Sequence, residues 1–289
     1  MKGVIIRSLG GFYTVRTEDG DIYDCKPRGV FRKEKTVLVV GDEIEAQKRE
    51  NDLGVIDALY PRRNLFDRPP IANIDKMFIV IAAANPSPDT LFADKLICIC
   101  RHKGVEPVIV INKCDLADTS GLRQIYSNLG IEFLTVSAAD GMGIDALLDK
   151  TKNCLCGFAG FSGVGKSSII SLLVNKAIET GRLSNKLGRG RHTTRHVELY
   201  PLDSTTLIAD TPGFSSLDVA QCGIRKEDLQ FLFPEFEEHL GKCRFTTCAH
   251  VKEKGCAVID AVQSGGIPKS RFESYAALYE QLKLIPDWK

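Results

Sequence analysis

Gly160-Phe161-Ser162-Gly163-Val164-Gly165-Lys166-Ser167 is a complete G-x-x-x-x-G-K-S phosphate loop. Its glycines let successive backbone N–H groups turn inward around phosphate oxygens, and the helix that follows presents its positive end to the same anion. Lys166 is placed to reach the β and γ phosphates, and the Ser167 hydroxyl to coordinate Mg²⁺. The flanks agree with this reading. Cys154 to Phe158 is a short apolar strand, and Ser168 to Leu173 has the character of a helix. Gly160, Ser162, Gly163, Val164, Gly165, Lys166, Ser167 and Ser168 are therefore expected to line a bound nucleotide.

Such a loop does not separate ATP from GTP; an upstream motif does. Asn112-Lys113-Cys114-Asp115 follows the apolar run Val108 to Ile111, where a parallel sheet presents its binding loops. The Asp115 carboxylate can accept from both the N1–H and the exocyclic amine of guanine, and adenine offers the wrong pattern. Asn112 and Lys113 are expected to pin neighbouring loops and cover the base. Ser137-Ala138, at the end of the next strand, matches a weaker base-contacting element.

Downstream, Asp210-Thr211-Pro212-Gly213 follows the strand Thr206 to Ala209 and matches D-x-x-G. Asp210 would hold a Mg²⁺-bound water and the Gly213 amide would sense the γ-phosphate. Between the phosphate loop and this motif lies a glycine-rich basic stretch from Leu187 to Arg195, where Thr194, or less readily Thr193, would complete the Mg²⁺ shell. The guanine-reading motif thus precedes the phosphate loop, the order expected of a circular permutation. Phe214 occupies the position at which Ras-like proteins carry a water-orienting Gln. Slow intrinsic hydrolysis is expected, with His192 the first candidate for the catalytic group and His196 the second.

The rest of the chain divides around this α/β core. Residues 1–66 hold short apolar runs at Val4–Ile6, Phe12–Val15, Ile22–Tyr23, Val37–Val40 and Val55–Ile56, separated by turn signals. Five strands in that length predict an all-β OB-fold barrel. Residues 67–222 are expected to form the mostly parallel α/β P-loop domain. In residues 223–289, a mostly helical region, Phe272, Tyr275, Leu278, Tyr279 and Leu282 recur at helical spacing. Cys243, Cys248, His250 and Cys256 lie within 14 residues, a Cys₃His set that predicts one structural Zn²⁺ per chain. Other cysteines, such as Cys98 and Cys100, read as small buried hydrophobes.

Bulk composition narrows the setting. The chain has 289 residues, is 44% hydrophobic and 26% charged, and carries a formal charge of +1, so any nucleic-acid surface must be local. Two basic runs fit that description: Lys26, Arg28, Arg32, Lys33 and Lys35, and Arg182, Lys186, Arg189, Arg191 and Arg195. No apolar stretch approaches the roughly 20 residues needed to cross a bilayer, and Arg7 interrupts the N-terminus too early for a signal peptide. No membrane partner, a cytoplasmic location and a monomer are the expectations.

With these motifs in hand, the whole chain resembles the circularly permuted GTPases of small-ribosomal-subunit biogenesis, the RsgA- or YjeQ-like family. The resemblance rests on Asn112 to Asp115, Gly160 to Ser167, the hydrophobic Phe214 and the Cys243, Cys248, His250, Cys256 set, and no motif position departs from it. It implies GTP and GDP as ligands, hydrolysis stimulated by the ribosome, binding to the 30S subunit and its rRNA, and a role late in subunit maturation. The competing class is an RNA-binding assembly scaffold for which GTP is mainly a structural ligand. Intact Lys166, Ser167 and Asp210 argue against it, and another RNA assembly as the target is a third reading.

Overall fold

The computed structural model describes residues 1–48, 53–179, 197–210, 214 and 217–285. Strands β1 (Lys2–Leu9), β2 (Phe12–Thr17), β3 (Ile22–Pro27), β4 (Glu43–Lys48) and β5 (Gly54–Leu59) pair in the order β1-β2-β3-β5-β4, and β4 returns to β1. This closes a five-stranded barrel of OB type. Its interior is filled by Ile5, Val15, Cys25, Ile44, Ala46 and Ile56 from the strands, with Phe31 from the short helix α1 (Gly29–Lys33).

One expected strand is displaced. Val37–Val40 is not a strand, apart from an isolated bridge between Val40 and Ile71, and β4 is the charged alternating segment that follows it. The reason lies in the contacts of Asp42 and Gly41. The buried Asp42 carboxylate accepts from the Val39 N–H at 2.7 Å and holds Arg62 through two contacts of 2.6 and 2.9 Å. Gly41 has φ +87°, and a Cβ there would lie 2.1 Å from the Ala72 carbonyl oxygen. The apolar run is consumed in a loop that buries Leu38, Val39 and Val40 and leaves Val37 exposed, while Ile44 and Ala46 alternate inward from β4.

A hairpin, β6 (Leu65–Asp67) with β7 (Pro70–Ala72), leads into the α/β region. Strands β8 (Lys76–Ala82), β9 (Glu106–Asn112), β10 (Glu132–Thr135), β11 (Leu155–Ala159), β12 (Glu198–Pro201) and β13 (Leu207–Asp210) form a sheet ordered β10-β9-β8-β11-β13-β12. All its pairs are parallel except β12–β13. The central strands are buried along almost their whole length, as both faces are covered. Helices α2 (Thr90–His102) and α3 (Ser120–Tyr126) lie on one side, α4 (Ile144–Thr151) and α5 (Lys166–Glu179) on the other.

Barrel and sheet are continuous. Arg7 on β1 pairs with Glu198 on β12, and Arg16 on β2 donates to the main-chain oxygens of Ser204 at 2.9 Å and Asp203 at 3.2 Å.

The C-terminal region consists of two 3-10 turns, Leu229–Leu232 and Pro234–His239, then α6 (Ala257–Gln263) and α7 (Lys269–Lys283). Tyr275, Leu278 and Leu282 are buried on α7, with Phe272 and Tyr279 packed partly against the same core, so the expected apolar face is present. This helix rests on α2. Among the described residues, no helix is long and apolar enough to cross a membrane.

Candidate nucleotide site and metal centre

The phosphate loop leaves the carboxyl end of β11 and enters α5, in the middle of the sheet. Its glycines answer to steric demands. Gly165 has φ +96°, and a Cβ there would stand 2.2 Å from the Asn112 side-chain nitrogen; a Cβ on Gly160 would stand 2.5 Å from the Val80 oxygen. Ser162, Ser167 and Ser168 are exposed at the mouth of the loop and the start of α5, while Val164 is buried beneath it. Lys166 Nζ donates to the carbonyls of Gly160 at 2.7 Å and Phe161 at 3.1 Å. Burial pushes the Lys166 pKa down, and the charge of Asp210, at the end of β13, opposes that shift.

Asn112 joins three sequence motifs at one buried side chain. Its Nδ2 donates to the Val164 oxygen of the phosphate loop at 2.8 Å, and its Oδ1 accepts from the Ala138 N–H at 3.1 Å. Two further bonds close the seam: Val136 N–H to Ile111 O at 2.8 Å and Cys114 N–H to Val136 O at 3.3 Å. Ser137 is fully buried and its N–H donates to Met142 O at 3.0 Å, which braces the loop carrying Ala138. Lys113, with φ +63°, donates to the Asn85 carbonyl, tying the loop after β8 to the same edge. Asp115 is exposed at the rim, free of the sheet that positions it. The ends of β9, β11 and β13 thus bring Asn112, Lys113, Asp115, the phosphate loop and Asp210 to one edge.

Phe214 is fully buried, its ring edge-on to Phe66 of β6 with centroids 5.2 Å apart. A side chain so placed orients no water. Thr193, Thr194, Gly213, His192, His196 and the second basic run lie outside the described residues.

The four metal-type residues also converge. One donor atom from each of Cys243, Cys248, His250 and Cys256 lies within 4.8 Å of the others. Cys243 Sγ is 3.8 Å from Cys256 Sγ, and His250 Nδ1 is 3.4 and 3.3 Å from those two sulfurs. Around an ion bound at about 2.3 Å to sulfur and about 2.0 Å to nitrogen, tetrahedral edges are about 3.8 and 3.5 Å. Three donors therefore sit at the edge distances of a four-coordinate site, with Cys248 near enough to be the fourth. The loop is locally organised as well. The Glu253 carboxylate accepts from the N–H groups of Ala249, Val251 and Lys252, and Tyr275 donates to Ala249 O at 2.8 Å. Sequence reasoning missed Gln230, whose Oε1 is 2.9 Å from His250 Nε2. It also missed Arg271, buried between Asp94 and Glu235. No local motif marks either one.

Comparison with known proteins gives the family and the fold. A family model described as RsgA GTPase matches residues 59–220, and one described as RsgA N-terminal domain matches residues 2–56. The protein named small ribosomal subunit biogenesis GTPase RsgA from Ruminiclostridium cellulolyticum is 40% identical, over 99% of this chain and 95% of its own length. The protein of the same name from Caldanaerobacter subterraneus subsp. tengcongensis is 42% identical, over 98% and 96%. Among solved structures, YjeQ from Thermotoga maritima superposes with a TM-score of 0.84 at 32% identity, covering 99% of both chains. YloQ, described as a circularly permuted GTPase, gives 0.80 at 33%, covering 98% and 94%.

The fold and the order of its nucleotide motifs are those of a circularly permuted GTPase with an N-terminal barrel. Within that class, the chain belongs to the RsgA GTPase family.

Proposed function

We propose that this GTPase acts on the 30S ribosomal subunit, in the cytoplasm and as a monomer, late in the subunit's maturation, and that the subunit stimulates its hydrolysis of GTP. The observation that carries this reading is the similarity, over 99% of the chain, to a relative named for small-ribosomal-subunit biogenesis. Local charge supports it. Lys26, Arg28, Arg32, Lys33 and Lys35 are all exposed at the end of β3 and around α1, and such a cluster suits an rRNA phosphate backbone. On this reading residues 1–66 bind RNA, 67–222 hydrolyse GTP, and 223–289 are ordered by one Zn²⁺.

Asp115 reads the guanine edge, with Asn112, Lys113, Ser137 and Ala138 setting its position. The amides from Gly160 to Ser168 and Lys166 hold the phosphates, and Ser167, Thr194 and Asp210 arrange the Mg²⁺ shell with Gly213 at the γ-phosphate. Mg²⁺, when bound with GTP, neutralises charge that develops on the phosphate oxygens. His192 is the group that orients and polarises the attacking water when the 30S subunit is bound. The three thiolates and His250 hold Zn²⁺ in a closed set that leaves no position for catalysis.

The test is GTP turnover titrated separately with 30S subunits, 50S subunits and naked rRNA. Strong stimulation by 30S alone is expected. A rate indifferent to 30S, or raised equally by 50S, would sink the proposal.

A further inference from the structure

Gln230 stands on the turn Leu229–Leu232, 13 residues before Cys243, yet its side chain reaches the metal-type cluster. Its amide is oriented from behind: Nε2 donates to the Glu227 carbonyl at 3.0 Å, which leaves Oε1 as the end that faces His250. An amide oxygen only accepts, so at 2.9 Å the proton of a neutral imidazole belongs on His250 Nε2. A neutral imidazole has one N–H, and Nδ1 is then a lone pair. That is the atom lying 3.4 and 3.3 Å from Cys243 and Cys256 Sγ. His250 is 3% exposed, with the Phe236 ring edge-on at 6.2 Å, so its ring plane is confined.

From this geometry we infer that Gln230 is a positioning residue of the metal centre, selecting the His250 tautomer that binds through Nδ1. The inference rests on the Zn²⁺ reading above. It also has a structural reach. The turn that carries Gln230 packs against α2 and α7, with Leu229 fully buried, so an element seated on a helix of the nucleotide domain orients a metal ligand in the C-terminal region.

The experiment uses the full-length, zinc-loaded protein. Long-range ¹H–¹⁵N correlation on the His250 ring should show a metal-bound Nδ1 and a protonated Nε2. In competition with a chromophoric chelator, Gln230→Leu should bind Zn²⁺ roughly 10- to 100-fold more weakly, the range seen when such outer partners are removed. Gln230→Glu, whose carboxylate also accepts from Nε2–H, should recover most of that loss. Zinc bound through Nε2, or a Gln230→Leu protein that holds zinc as tightly as the parent, overturns the inference alone. A parent protein that binds no zinc removes the metal reading and this inference with it.

Discussion

Arg271 on α7 and Asp94 on α2 are both fully buried, with Nη1 2.7 Å from Oδ1. The contact is an ion pair between two buried charges. Glu235 completes the arrangement, accepting from Arg271 Nε at 2.6 Å and Nη2 at 3.1 Å, and the Tyr126 hydroxyl donates to Asp94 at 3.2 Å. Burial pushes the Asp94 pKa up against the pull of Arg271. Removing the cation leaves two buried carboxylates facing each other without it. Arg271→Ala is therefore expected to lower the unfolding free energy by about 3–5 kcal/mol in a denaturant titration. A loss below about 1 kcal/mol, the scale of exposed pairs, would mean that the site is solvated.

The Asn112 side chain spans two nucleotide loops. Asn112→Ala would leave the Val164 oxygen and the Ala138 N–H without their partner. Each such loss costs about 1–3 kcal/mol, so GDP affinity should fall by at least roughly tenfold. Fluorescent-GDP titration checks this, and unchanged affinity would show that the loops hold their shape without the brace.

The guanine preference should follow Asp115 alone. Two hydrogen bonds to a carboxylate are worth about 1.5–3 kcal/mol each, so Asp115→Asn should weaken GTP binding by on the order of 10²- to 10⁴-fold. Xanthine nucleotides should gain, since their carbonyl can accept from the new amide. Competition binding reads both arms, and equal GTP and ATP affinity in the parent would end the assignment.

Cys154 precedes β11, and its thiol is pulled down to about 7 by a hydrogen bond from Cys156, against the effect of burial. The thiolate is the nucleophile, so alkylation of Cys154 should reach half its maximal rate near pH 7. Cys156, buried and pushed well up, should stay unmodified. Site-resolved mass spectrometry across pH measures this. A midpoint near the ordinary thiol value of about 8.5 would contradict the contact.

His192→Ala should remove most of the 30S-stimulated turnover and spare both GTP binding and the slow basal rate. Each 1.4 kcal/mol of lost water positioning is worth roughly tenfold. Full stimulation of the variant would assign the role to His196, backbone or rRNA.

The nucleotide motifs were legible because phosphate and guanine recognition impose residue types at short, fixed spacing. The same holds for Cys243, Cys248, His250 and Cys256. Their permuted order could be read for the same reason, since each motif announces its own place at a strand end. What stayed hidden depends on contacts across the chain. Val37–Val40 has the composition of a strand, and only the distant Arg62 and Ala72, acting on Asp42 and Gly41, make it a loop. Gln230, on a short turn, and Arg271, on α7, look like ordinary polar residues until α2 and the C-terminal region are packed together. Strand β12, four residues long, is too short to announce itself and is set by its pairing with β13 and β1.

The seam between β1 and β12 bears on the order in which the molecule is made. Synthesis is vectorial, and early domains tend to fold first. The barrel's strands all lie within the first 59 residues, whereas Glu198, the partner of Arg7, is added 191 residues after it. The barrel can therefore close during translation, with the stretch of β1 around Arg7 left as an open edge. The acceptors for Arg16, at Asp203 and Ser204, arrive equally late. Pairing of the barrel with the edge of the sheet is thus a late event in biogenesis, and a nascent chain stalled before residue 198 would carry a closed barrel, held at Ile71 and Ala72, without the strand that Arg7 pairs with.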